Sequence, residues 1–390
     1  MNPQPFNINI PDAALNDLQE RLARTRWTDE VEGAGWDYGT NLAYLKQLTD
    51  YWQHSFDWRA QETMLNQFAH FKAEIDGIGV HFIHERGKGP NPTPLLLLHG
   101  WPDSFYRFYK VIPMLTDPAR FGGDPTNSFD VIVPSLPGFG FSDKPLNRGG
   151  VDAAGIMAQL MTDVLGYARF GVQGGDTGSP IAQEMARRYP DAVMGIHLTD
   201  IGWDVLSSLK PETLSPAEQD YAKQLEQWSF AEGAYVSIQG TKPQTLAYGL
   251  NDSPTALAAW IIEKFHTWTD REGDVERYFT KDELLTNVMI YWLTQTINSS
   301  MRWYYDGFHA DWGDSDTGGD WGSGQEAQQS ASVPAAVAAF PNDNPAPREL
   351  AERSLNVQQW TQMPRGGHFA ALEEPELFAQ DVSKFFTNLR

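Results

Sequence analysis

The chain of 390 residues is long enough for two or three domain-sized units or for one large α/β unit, and its 41% apolar content, with 14 Trp and 21 Phe, excludes global disorder. The absence of cysteine excludes disulfides, a thiolate nucleophile and Cys-bound metals. A formal charge of -22, from 51 acidic against 29 basic residues, repels phosphate backbones and anionic bilayers, so neither nucleic acid nor stable membrane insertion is expected.

The first residues lack the basic start and apolar run of a signal peptide, which sets a cytoplasmic expectation. Residues 1–70 read as a helical meander. Asp12 is placed to cap a first helix with Leu15, Leu18 and Leu22 on one face. A second helix carries Tyr44, Leu45, Leu48, Tyr51 and Trp52, and a third runs through Leu65. The pattern then changes to strands: 71–75 and 80–84 joined at Asp76-Gly77, a buried run 94–98, then 129–134, 170–174, 193–198 and 333–339. Leu95 to Leu98 is too short to span a bilayer, which takes about 20 apolar residues. Helical stretches alternate with these strands, as in a largely parallel sheet. Residues 201–325 break the rhythm with helices, among them one marked by Leu257, Trp260, Ile261, Lys264 and Phe265, and the polar stretch 311–330 reads as an exposed loop that leads the chain back to the sheet.

The chemistry concentrates at the ends of those strands. Gly174-Gly175-Asp176-Thr177-Gly178 has the shape of a sharp strand-to-helix turn, with aspartate in the nucleophile position. A carboxylate there can attack an electrophilic carbon and form an ester that water later cleaves. His99-Gly100-Trp101-Pro102 follows a buried strand, so the Trp101 and Thr177 amides are the expected pair of oxyanion donors, with His99 structural. His368, in Gly366-Gly367-His368-Phe369, is the candidate base. Asp343, after the strand 333–339, is the candidate acid that orients it; Asp200 and Asp204 are rivals for that role.

These segments, together with Leu22 to Trp27 and Phe56-Asp57-Trp58-Arg59, resemble the epoxide hydrolases of the microsomal and juvenile-hormone type over nearly the whole chain. The resemblance implies an α/β-hydrolase fold: a helical extension at 1–70, core at 71–200, a helical lid at 201–325 inserted late in the sheet, and the last part of the core at 326–390. It implies two lid tyrosines, Tyr235 and Tyr304, that grip and protonate an epoxide oxygen, with Tyr305 a near rival for the second. It further implies hydrolysis of an apolar epoxide to a vicinal diol with no metal or organic cofactor, in the setting of detoxification or aromatic hydrocarbon catabolism, and leaves a homodimer open. Asp343 departs from the family, whose members often carry glutamate there, and so does Asp306. A haloalkane dehalogenase is the nearest different activity, but it places tryptophan after the nucleophile where this chain has Thr177. A non-catalytic binding protein on the same fold is the alternative of another class.

Overall fold

The structure is a computed structural model that describes residues 2–201, 205–206, 209–269, 274–309 and 331–390. Within them a nine-stranded sheet has the order β1-β2-β3-β5-β4-β6-β7-β8-β9. The strands are β1 (Gln4–Phe6), β2 (His70–Ile75), β3 (Ile78–Glu85), β4 (Thr93–Leu98), β5 (Phe129–Pro134), β6 (Phe170–Gly174), β7 (Val193–Leu198), β8 (Ala331–Ala339) and β9 (Leu355–Gln362). From β1 to β5 the pairing is antiparallel, and from β5 through β4 to β9 it is parallel. The central strands are buried on both faces, which is why Leu95 to Leu98 and Val131 to Val133 read as unbroken apolar runs.

The N-terminal segment departs from a purely helical meander. Its residues 4–6 form β1, which pairs with β2 and covers one edge of the sheet. Helix α1 (Asp12–Ala23) starts with Pro11 at the N-cap position and no side-chain cap; Asp12 does not cap it but lies in the first turn, engaged by Arg59. Asp57 caps α3 (Trp58–Leu65) by accepting from the Arg59 and Ala60 amides. Helix α2 (Leu42–His54) buries Leu45, Leu48 and Trp52. It is tied to the lid, where the Tyr51 hydroxyl donates to Asp282 at 2.9 Å and the Trp52 indole donates to the Met289 sulfur at 3.3 Å.

The helices α4 (Val111–Thr116), α5 (Ala153–Gln159) and α6 (Gly178–Arg188) connect β4 to β5, β5 to β6 and β6 to β7. After β7 the chain leaves the sheet for a run of helices: α7 (Pro216–Glu232), α8 (Ala234–Thr241), α9 (Pro243–Asp252), α10 (Pro254–Thr267), α11 (Lys281–Thr294) and α12 (Ile297–His309). It returns as β8. Helix α10 buries Leu257, Ile261, Lys264 and Phe265 of the face its periodicity marks and leaves Trp260 half-buried. The polar stretch 311–330, and with it the expected boundary at 325, lies outside the described residues. Strand β9 escapes prediction because LNVQQWTQ is polar and only partly buried at the sheet edge. Among the described residues no helix is long and apolar enough to cross a membrane.

Candidate active site

Asp176 sits on the turn that follows β6, with φ of 51°. Non-glycine residues in this left-handed region are uncommon and cluster at functional sites. Small neighbours make the geometry attainable. A Cβ on Gly178 would lie 2.4 Å from the Leu98 carbonyl oxygen, and one on Gly100 would lie 2.0 Å from Asp176 Oδ1. The elbow and the loop after β4 therefore touch through bare backbone.

That approach brings three donors onto one carboxylate oxygen. Asp176 Oδ1 accepts from the Trp101 amide at 2.8 Å, the Thr177 amide at 2.7 Å and the Thr177 hydroxyl at 2.9 Å. Both expected oxyanion donors converge on this oxygen. The other oxygen, Oδ2, stands 3.6 Å from His368 Nε2, beyond direct hydrogen-bond reach. His99, fully buried, serves loop geometry: its Nε2 accepts from the Leu136 amide at 3.1 Å, and its Nδ1 lies 3.0 Å from the Gly100 carbonyl.

The imidazole comes from the far side of the sheet, on the loop after β9. Its own amide donates to the Trp268 carbonyl at 2.9 Å. The amides on either side of it, Gly367 and Phe369, donate to the buried Glu373 carboxyl at 2.9 and 2.8 Å. His368 Nδ1 lies 2.9 Å from Asp343 Oδ1, so the shorter acid reaches the ring without help. Burial disfavours the imidazolium, but the charge and hydrogen bond of Asp343, with the charge of Asp176, outweigh it and lift the His368 pKa to about 9.

Asp200 does not orient the histidine. Its Oδ2 instead accepts from the Asp176 amide at 2.5 Å and so fixes the backbone of the elbow. Burial, then the nearby charge of Asp343, raises the Asp200 pKa to about 7. Asp204 lies outside the described residues.

The lid closes the site from above. Tyr235 on α8 and Tyr304 on α12 face each other edge to face, with ring centroids 5.9 Å apart. The Tyr235 ring stacks on Trp101 at 5.2 Å, and Tyr304 meets the same indole edge-on at 6.0 Å. Burial holds both phenols well above their usual range, so both stay protonated donors. Tyr305 turns away and stacks on His309 at 4.0 Å. A cavity of about 360 Å³ joins the sheet and lid groups, lined by Asp176, Asp200, Asp343, His368, Tyr235 and Tyr304 and walled by Trp228, Trp268, Trp303, Phe308 and Trp360. Trp268, Glu373 and the elbow contact of Asp200 had no signal in the sequence, since nothing local marks which distant loop a side chain will meet.

A strand-to-helix elbow on a parallel sheet, two amides converging on its side chain and an acid-paired imidazole across the cleft define an α/β-hydrolase whose elbow carries a carboxylate. Comparison with known proteins narrows the class. Residues 93–375 match the alpha/beta hydrolase fold family, and residues 3–108 match the family described as Epoxide hydrolase N terminus. The chain is 39% identical to Epoxide hydrolase 1 of Oryctolagus cuniculus, covering 98% of this chain and 88% of that protein. It is 39% identical to Juvenile hormone epoxide hydrolase 2 of Ctenocephalides felis, covering 97% and 84%. The crystal structure of juvenile hormone epoxide hydrolase from the silkworm Bombyx mori superposes with a TM-score of 0.82 at 33% identity, covering 100% of this chain and 94% of that one. The chain belongs to the epoxide hydrolases of the α/β-hydrolase fold. It is an enzyme of a family that works through a covalent aspartyl ester.

Proposed function

We propose that this enzyme opens a small apolar epoxide by attack of Asp176 Oδ2 and releases a vicinal diol by hydrolysis of the resulting ester. The observation that carries the assignment is the division of the carboxylate: Oδ1 is held by the Trp101 and Thr177 amides while Oδ2 stands 3.6 Å from His368 Nε2, and Asp176 lines the same cavity as Tyr235 and Tyr304. Attack by Oδ2 makes it the ester oxygen. Oδ1 becomes the ester carbonyl, already seated in the donors that stabilise its negative charge in the second step.

In the first step the C–O bond of the epoxide breaks as the Asp176–carbon bond forms, and a lid tyrosine protonates the departing alkoxide. In the second, His368 takes a proton from water and directs it at Asp176 Cγ. The tetrahedral intermediate collapses with Oδ2 leaving in the diol. A cavity of about 360 Å³ is at the small end of ligand pockets. Its Trp and Phe walls favour an aryl or monoterpene-sized epoxide over a long chain, which fits a place in detoxification or in the catabolism of oxidised aromatic hydrocarbons.

The test is to trap the ester. His368→Ala protein mixed with styrene oxide is expected to carry a covalent adduct on the peptide containing Asp176, and single turnover of the wild type in ¹⁸O-water is expected to put label into Asp176 rather than into the first diol. Label in the first diol with none in Asp176 would refute the ester route.

A further inference from the structure

Ester hydrolysis needs three loops in register: the oxyanion loop after β4, the elbow after β6 and the base loop after β9. The first two belong to adjacent strands, whereas β9 is the far edge of the sheet, with β7 and β8 between it and β6. One buried side chain, Arg107, spans that gap. Its Nε pairs with Asp103 Oδ2 at 2.9 Å, and Asp103 Oδ1 in turn accepts from the Gly100 amide at 3.1 Å, on the oxyanion loop. Its Nη2 donates to the main-chain carbonyl of His368. Its Nη1 passes behind the elbow, where a Cβ on Gly175 would lie 3.4 Å away. Arg107 is 3% exposed and Asp103 1%.

A buried ion pair is a poor source of stability, because desolvating both charges offsets most of their attraction. What this pair does have is a direct hydrogen-bonded link between two of the loops, the oxyanion loop through Asp103 and the base loop through the His368 carbonyl. The planar guanidinium presents donors in a fixed fork, so it sets angles as well as distances.

We propose that Arg107, held by Asp103, is a positioning residue for ester hydrolysis: it fixes the base loop against the oxyanion loop so that His368 aims water at Asp176 Cγ. This rests on the two-step reading above. Alkylation depends on the elbow, the oxyanion loop and the lid tyrosines, none of which needs the His368 carbonyl to be anchored. Hydrolysis depends on His368. The pair therefore separates the two steps.

The experiment is stopped-flow tryptophan fluorescence with styrene oxide on wild type, Arg107→Met and the double variant Arg107→Met/Asp103→Asn, each checked for a wild-type circular dichroism spectrum. The double variant removes both buried charges, so it folds without a lone carboxylate, and the asparagine side chain still offers an oxygen to the Gly100 amide. In it, hydrolysis of the ester is expected to slow about 10- to 100-fold while alkylation stays within about 3-fold of wild type. In steady state, kcat and KM then fall together and kcat/KM holds. Arg107→Lys, which keeps a donor near the carbonyl, is expected to recover part of the hydrolysis rate. Equal losses in both steps, or wild-type hydrolysis in the double variant, overturns the proposal. If the wild type itself forms no ester, the two-step reading fails instead, and the two failures are told apart.

Discussion

Replacing Asp176 by Asn should change the charge state of His368, and the size of the change follows from the geometry. In the resting site the imidazole lies between two carboxylates, with Nδ1 2.9 Å from Asp343 and Nε2 3.6 Å from Asp176. Burial alone would favour the neutral ring, but these carboxylates lift its pKa to about 9. A unit charge at 3.6 Å contributes about 1 kcal/mol at the dielectric of water and about 5 kcal/mol at an effective value of about 20. At about 1.4 kcal/mol per pH unit, removing it lowers the titration midpoint by roughly 1 to 3 units. Ester formation removes the same charge, so the ring becomes a base only once there is an ester to hydrolyse. Asparagine keeps the shape and leaves an oxygen for the Trp101 and Thr177 amides. The assay is NMR titration of ¹³C-labelled histidine in wild type and Asp176→Asn, with the His368 signal assigned from His368→Gln. A midpoint that stays within about 0.3 pH unit of wild type would refute the coupling, because even the water-dielectric figure predicts more than that.

Three further outcomes follow from the same geometry. Gly100→Ala puts a methyl 2.0 Å from Asp176 Oδ1 and should reduce alkylation by about 100-fold with a cooperative thermal transition retained; an unchanged burst rate would show that the loop yields. Asp200→Asn keeps an acceptor for the Asp176 amide and should stay near wild-type activity, whereas Asp200→Ala should lose about 10-fold; equal loss in both would point to the charge instead of the contact. Burial lowers the His99 pKa to about 4, so the unfolded state binds more protons between pH 6.5 and 4 and the stability contributed by neutral His99 is lost as pH falls through that window. His99→Gln should remove up to about 1.4 kcal/mol per pH unit of that slope from urea unfolding, and an unaltered slope would contradict it.

What the sequence revealed of this site was whatever the backbone itself demands. An aspartate with φ of 51° needs small neighbours, so Gly174, Gly175 and Gly178 mark the elbow. An amide aimed at that aspartate needs Gly100, and the buried strand before it reads as four leucines. The lid tyrosines are different. Nothing in the local pattern separates Tyr304, which faces the cavity, from Tyr305, which stacks on His309; only the resemblance chose between them. Long-range polar contacts were also illegible. Asp103 and Arg107 look like surface charges at helical spacing yet are buried, and Asp200 is one of many aspartates until the fold sets it against the elbow amide. Strand β1 was missed because three residues carry too little pattern to be read as a strand.

In the proposed two-step cycle the protons balance within the site. At pH 7.5 the resting enzyme holds an imidazolium on His368 and two neutral phenols on the lid, all lining the cavity of the Asp176 nucleophile. Ring opening moves a proton from a tyrosine to the alkoxide and turns the carboxylate into a neutral ester. A tyrosinate and an imidazolium then share an aromatic-walled cavity, and burial makes the tyrosinate strongly basic. The imidazolium has just lost the charge that stabilised it at 3.6 Å. Its proton therefore passes to the tyrosinate, which restores the donor for the next cycle and leaves the neutral ring that hydrolysis requires. The resting proton on His368 is the one the lid consumes, so alkylation exchanges none with solvent. Mixing enzyme with excess styrene oxide in weak buffer with a pH indicator should show no proton taken up or released during the fluorescence burst. A stoichiometric uptake at pH 7.5 would mean that the tyrosine is reprotonated from bulk water and that His368 starts the cycle as a neutral base.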